Sequence, residues 1–186
     1  MRVNYRRFVP DLAELEQFLQ SLKQQRCPFC GQLETLNRHA KITGYDPQAR
    51  SGCIFRGQRV YCSPRGRRGG CGRSFPALLA VMFPRHLFNA WLLWKALVGW
   101  LRGTSIKASW ETGGSPLTLD GFYHLLQRLR RRVDAIRTGL HTCAPPPESR
   151  FSDPLRATFE HLRGVFTDSL CPPESFQLKF QRSFVG

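Results

Sequence analysis

Two cysteines separated by two residues, in Cys27-Pro-Phe-Cys30-Gly31, form the tightest chemical pattern in this chain. A C-x-x-C turn sets two thiolates on one loop at the spacing a tetrahedral metal ion needs. The glycine after it permits the positive backbone angle that turns nearby amides toward the sulfurs. Such a half-site requires a second pair. Cys71-Gly72-Arg73-Ser74-Phe75 has the form of a closing half, and the nearest cysteine upstream is Cys62, in Val60-Tyr61-Cys62, with eight residues between the two. Ser63 to Gly70 then reads as an enlarged basic loop, which closes at modest entropic cost. The expected ligand set is Cys27, Cys30, Cys62 and Cys71 around one structural Zn²⁺, with Cys53 and His39 as rivals for the third position. A redox role for the C-x-x-C pair needs a thioredoxin-like βαβ context, and nothing in the pattern alternates that way. Cys143 and Cys171 stand alone near prolines and read as small apolar residues.

The charge around these cysteines is lopsided. The chain has 186 residues and a formal net charge of +15, from 28 Lys+Arg against 13 Asp+Glu. Residues 27–75 carry +7 of it, 1–26 carry +2, 76–114 and 115–143 carry +3 each, and 144–186 are neutral. A polyanion, nucleic acid before anionic membrane, is the partner such a balance favours. Arginine supplies most of the charge and suits bidentate phosphate and guanine contacts. The first residues have no apolar stretch of signal-peptide length, and Phe75–Leu101 is broken by Pro84-Arg85-His86 and Lys95, short of the roughly 20 residues a bilayer needs. The expectation is a cytoplasmic protein, nucleoid-associated when bound to DNA, in which paired cysteines mean metal before disulfide.

The elements that must hold these groups are partly legible. Arg2, Arg6 and Arg7 suggest a basic arm, followed by a helix that Asp11 and Glu14 open as a capping box. After the cysteine segment, Pro76–Met82 reads as a short helix. Residues 86–101, with Trp91, Trp94 and Trp100, read as a helix apolar nearly all round, buried in its own fold or covered by a partner. A short helix from about Thr104, a turn at Gly113-Gly114-Ser115-Pro116, and a third helix from Thr118 to about Gly139 follow. On that third helix Phe122, Leu125, Leu126, Leu129, Val133 and Ile136 form one stripe, with Asp120, His124, Gln127, Arg128 and Arg131 opposite. Ala144-Pro145-Pro146-Pro147 reads as a stiff linker. A helix over Asp153–Asp168 and an alternating strand over Phe176–Phe184 complete the tail.

The segments CPFCG, Arg38-His39-Ala40-Lys41, Arg59-Val60-Tyr61-Cys62 and Cys71-Gly72-Arg73-Ser74-Phe75 resemble the N-terminal zinc ribbon of bacterial insertion-sequence transposases. The likeness covers residues 27–75, and 27–140 with the helices that follow. It departs from the family at the gap between Cys62 and Cys71, which is usually two residues. The resemblance implies an α+β protein, a small β zinc ribbon followed by a mainly α helix-turn-helix domain. Its parts would be an N-terminal arm and helix (1–26), the ribbon (27–75), a helical domain (76–143), and a Pro-rich linker with a docking tail (144–186).

The order long helix, short helix, turn and capped basic helix fits a helix-turn-helix. Arg38, Lys41, Arg56, Arg59, Arg65, Arg67, Arg68 and Arg73 would then grip phosphates. Thr118, Tyr123, His124, Gln127, Arg128 and Arg131 would face base edges or backbone. No G-x-S-x-G, H-E-x-x-H, P-loop or dinucleotide fingerprint occurs, and the few acids do not suggest the three metal-binding carboxylates of a transposase catalytic domain. The expectation is a protein that binds double-stranded DNA and does not cut it, assisting a transposase or recombinase partner, with a homodimer as a further option and no membrane contact. The alternatives are a transcriptional regulator with the same parts, or a zinc-ribbon adaptor in a larger RNA- or DNA-containing assembly.

Overall fold

A computed structural model describes residues 5–45, 52–65, 69–84, 86, 88–112 and 118–186, and the structural statements below concern those residues. Arg2, Arg67, Arg68 and the expected turn at 113–116 lie outside them. The chain is α+β and divides into two compact units, residues 1–80 and 81–186.

The first unit is built on a four-stranded sheet in the order β1-β4-β3-β2. Strand β1 is Arg7–Val9, so the expected basic arm is in part a strand, and Arg7 lies over the Phe18 ring at 5.5 Å. Helix α1, Leu12–Gln20, starts where Asp11 accepts a hydrogen bond from the Glu14 amide at 2.9 Å. Its buried Leu15 and Leu19 pack the helix onto β1 and β4. Strands β2 (Leu36–Tyr45) and β3 (Cys53–Cys62) form an antiparallel hairpin running from Leu36 opposite Cys62 to Tyr45 opposite Cys53. Strand β4, Ser74–Leu79, lies antiparallel to β3 and parallel to β1.

This corrects the helix expected over Pro76–Met82. A short apolar run buried on both faces has no periodicity that separates helix from strand. Pro76 is tolerated because β1 joins β4 only from Ala77 onward, leaving β4 an edge on that side at the proline.

In the second unit, Asn89 caps α2, Ala90–Leu101, so the helix starts four residues later than expected from residue 86. The apolar faces of α2 are covered within its own unit: Leu93, Ala96, Leu97 and Leu101 are buried, and Trp91 is partly exposed. Short α3 (Ile106–Glu111) follows, and its Trp110 stacks on Phe122 of α4 at 4.1 Å and 10°. Helix α4 is Leu119–Arg130, and α5 is Val133–His141. The single helix expected from Thr118 to Gly139 is therefore broken at Arg131-Arg132. The apolar stripe runs through the break in Leu129, Val133 and Ile136, so the pattern alone carries no mark of it. Arg132 turns its guanidinium to the Ser183 carbonyl at 2.9 Å, an anchor far away in sequence.

Residues 144–186 belong to this second unit, and Leu155, Phe159, Leu162, Phe176, Phe184 and Val185 join its core, while 145–150 stay exposed. Helix α6, Pro154–Val165, brings Arg156 to the Trp100 carbonyl at 2.9 Å, while Arg150 reaches the Leu101 carbonyl at 3.2 Å. Both serve the C-terminal carbonyls of α2, which have no partner inside their own helix. The strand expected over Phe176–Phe184 is instead helix α7, Pro172–Phe180, followed by an irregular end. Two prolines at its first positions favour helix entry, and Phe176 and Phe180, one turn apart, bring their rings to 4.7 Å. Phe176 and Phe184 are both buried, with ring centroids 5.4 Å apart. Among the described residues, no helix is long and apolar enough to cross a membrane.

Two outcomes are expected. Phe184→Ala empties a core position and should destabilise the protein by about 3–5 kcal/mol, read from denaturant unfolding; a loss under about 1 kcal/mol would show that the chain end does not belong to the core. His161 is buried, with Nε2 donating to the Ala144 carbonyl at 3.1 Å and Nδ1 without a partner among the described residues. Burial, then the nearby His141 and Arg137 charges, hold its pKa below the ordinary 6.5, against the Ala144 bond. The unfolded chain takes up the proton as pH falls through 6.5, while the folded chain resists until a lower pH, so this stability is present above 6.5 and lost below it. Urea midpoints should drop between about pH 7.5 and 5.5, and less so in His161→Gln; equal drops in both proteins would remove His161 as the cause.

Candidate metal centre

The first cysteine pair sits on the loop after the short 3-10 turn Ser21–Gln24. Two backbone bonds close that loop, Gly31 N to the Cys27 carbonyl at 2.8 Å and Cys27 N to the Gln32 carbonyl at 2.9 Å. The second pair joins the end of β3 to the start of β4. It closes by the same two bonds, Gly72 N to the Cys62 carbonyl at 3.0 Å and Cys62 N to the Arg73 carbonyl at 2.8 Å. Gly31 and Gly72 both take positive φ, at 74° and 70°. The two loops therefore share one base despite two intervening residues in the first and eight in the second. The extra residues are set off by a further bond, Gly70 N to the Ser63 carbonyl at 2.8 Å.

The four sulfurs of Cys27, Cys30, Cys62 and Cys71 converge within 4.8 Å of one another, and a metal ion could be held there. The Cys27–Cys71 and Cys30–Cys62 separations are 3.8 Å. A tetrahedral ion with bonds of about 2.3 Å to sulfur requires sulfurs about 3.8 Å apart, so the spacing fits. Backbone amides point at every sulfur: those of Phe29 and Cys30 at Cys27, Gln32 at Cys30, Cys71 at Cys62, and Arg73 at Cys71. The Cys62 sulfur also lies 3.2 Å from Thr35 Oγ1. Amide donors favour thiolate, whereas burial opposes it. Burial pushes Cys27 up to about 12 and raises Cys71, while the Gln32 amide draws Cys30 down to about 7. A bound cation compensates clustered thiolates and releases their protons.

The rivals for the third position lie elsewhere. Cys53 is at the opposite end of the ten-residue strand β3, about 30 Å from Cys62 at the rise of a strand. His39 is exposed on β2 and packs its ring on Tyr61 at 5.7 Å. Three supporting residues escaped the sequence reading: Gln32, Thr35 and Gly70. A β-carbon at Gly70 would stand 2.5 Å from the Cys62 sulfur and 2.3 Å from the Ser63 oxygen. The Gly69-Gly70 pair immediately before Cys71 was the available signal.

The candidate basic residues divide by what holds them. Lys41 and Arg65 are exposed. Arg59 is exposed and donates to Ser74 Oγ at 3.3 Å. Arg73 lies over the Phe29 ring at 3.8 Å. Arg38 grips Glu16 with both terminal nitrogens, at 3.2 and 2.5 Å, and this bond holds the Glu16 carboxyl below its ordinary pKa. Arg56 is buried and donates to the Tyr45 carbonyl at 3.3 Å, so it is no phosphate grip. In the second unit Thr118 caps α4, its hydroxyl accepting from the Gly121 amide at 3.2 Å. Tyr123, His124, Gln127 and Arg128 are exposed along α4, with Arg131 at its C-cap, opposite the buried Phe122, Leu125, Leu126 and Leu129.

Comparison of the chain with protein-family models, with curated proteins and with solved structures finds no match.

Metal analysis of the purified protein should find one ion per chain. Cys62→Ser together with Cys71→Ser should abolish it, and Cys53→Ser or His39→Ala should leave it unchanged. Full metal content in the double variant would exclude this ligand set.

Proposed function

We propose that this chain is a zinc-bearing, sequence-specific DNA-binding protein of a bacterial mobile element. It would recognise element ends or target DNA and assist a separate transposase or recombinase. The observation that carries the reading is the four-sulfur cluster, closed by two loops with one hydrogen-bonding pattern, inside the segment with the largest share of the positive charge. Four sulfur ligands leave no coordination position open for substrate, so the zinc in this proposal is structural and ties the loop after α1 to the β3–β4 end of the sheet. Lys41, Arg59, Arg65 and Arg73 supply phosphate contacts.

In the second unit, α4 has the build of a recognition helix. Thr118 fixes its first turn, the apolar side is sunk against α3 and α6, and Tyr123, His124 and Gln127 stand outward. Laid in a major groove, Gln127 offers the paired amide donor and acceptor that read adenine, and His124 and Tyr123 lie within a turn of it.

Binding to a labelled duplex carrying element-end sequence should weaken steeply with salt, because each phosphate contact releases counterions. It should give a defined footprint, and Gln127→Ala should cost about 1–3 kcal/mol of discrimination at one base position. Equal affinity for random duplex or single-stranded RNA would overturn the sequence-specific reading.

A further inference from the structure

The densest positive run in the chain, Arg128 to Arg132, is interrupted by Leu129 alone. It spans the corner where α4 ends and α5 begins, and its arginines go to different places. Arg130 is neutralised by Asp153, with Nη2 at 3.3 Å from the carboxylate. Arg128, Arg131 and Arg132, spaced i, i+3 and i+4, make no ion pair among the described residues. These three, with His86, line one cavity of about 360 Å³, whose remaining walls are Pro84, Val185 and Gly186. Among the described residues, no Asp or Glu side chain lines it.

We propose that this cavity is a phosphate-binding site, in which Arg128, Arg131 and Arg132 hold one phosphate group and His86 flanks it. Guanidinium forks match phosphate oxygens in geometry and keep their charge at any physiological pH. The volume lies in the range of small-ligand clefts, about 300–1,000 Å³. Pro84 and Val185 give the cavity an apolar side against which the carbon framework of a phosphate ester can rest. Arg132 is preorganised, since its bond to the Ser183 carbonyl fixes the side chain before any ligand arrives. Burial, and then the Arg182 charge, lower the Arg132 pKa, as expected where positive charge is crowded and incompletely solvated. An anion relieves that crowding. Asp134, the next acid along the chain, borders a separate cavity with Arg137, Thr138 and His141.

The source of the phosphate, nucleic-acid backbone or a free phosphate compound, rests on the DNA reading above, but the site does not. The test is therefore run with both probes on the full-length chain. Arg128→Gln with Arg131→Gln removes two exposed cations that make no ion pair among the described residues. Arg102→Gln with Arg163→Gln removes the same charge from exposed positions outside the cavity.

With labelled duplex, the first pair should lower affinity about tenfold at 0.15 M salt and reduce the salt slope by about one, and the control pair should do neither. With pyrophosphate, ³¹P line broadening by the wild-type protein should vanish in the first pair and persist in the control. Pyrophosphate binding lost in the first pair, in a protein that does not bind duplex, keeps the site and discards the DNA reading. Duplex binding unchanged in the first pair, with no pyrophosphate binding, discards the site and keeps the DNA reading. Binding of neither probe by the wild-type protein, or equal losses in both pairs, also overturns the site.

Discussion

Four thiols gathered within 4.8 Å are an electrostatic problem before they are a structure. The first thiolate to form raises the cost of the next, and burial of Cys27 adds to that cost. Amides from Phe29, Cys30, Gln32, Cys71 and Arg73 offset part of it, and a metal ion held there would offset the rest. The first unit is arranged around this arrangement of charge. Its sheet is small, and β1 contributes three residues. The loop of Cys27 and Cys30 meets the end of β3 and the start of β4 through the sulfur cluster and through the edge-on contact of Phe29 with the buried Phe75 at 6.2 Å.

The second unit is held by a different device. Helix α2 is apolar on most of its surface, and α3, α6 and α7 cover it except along the side that carries Trp91 and Lys95. Its C-terminal carbonyls are met by Arg150 and Arg156. The neutral net charge of residues 144–186 thus conceals arginines with specific structural work, and the buried Phe176 and Phe184 show the same segment completing the core. Arginine in this protein is not one population. Some side chains stand open to solvent, some cap helices, and Arg38 and Arg130 are bound to carboxylates.

The four cysteines were legible because metal geometry constrains short spacings and their glycines tightly. The caps at Asp11 and Thr118 were legible for a related reason, since each acts within three residues of itself, whereas the caps at Asn89 and Ser105 emerge only in the structure. Several element assignments failed, most of them where a distant partner decides. Pro76 belongs to a strand because β1 reaches β4 only one residue later, and no local pattern encodes that pairing. Phe176–Phe184 alternates like a strand, yet Pro172 and Pro173 start a helix that Phe180 joins from one turn away. The break at Arg131-Arg132 is tied to Ser183, 51 residues on. Arg56 looked like any other basic residue until the sheet closed over it.

The bond between Gly70 and Ser63 has a consequence for how such a protein can change. It closes the loop's neck, next to Cys62 and Cys71, so the backbone at both sulfurs is tied together on the near side of that bond. Doubling the loop's length costs only about 0.6 kcal/mol in closure entropy. Changes in length between Ser63 and Gly70 would therefore bear little on how the sulfurs are placed. The same isolation would let a foreign peptide be grafted at that point, with the cysteine cluster serving as its clasp.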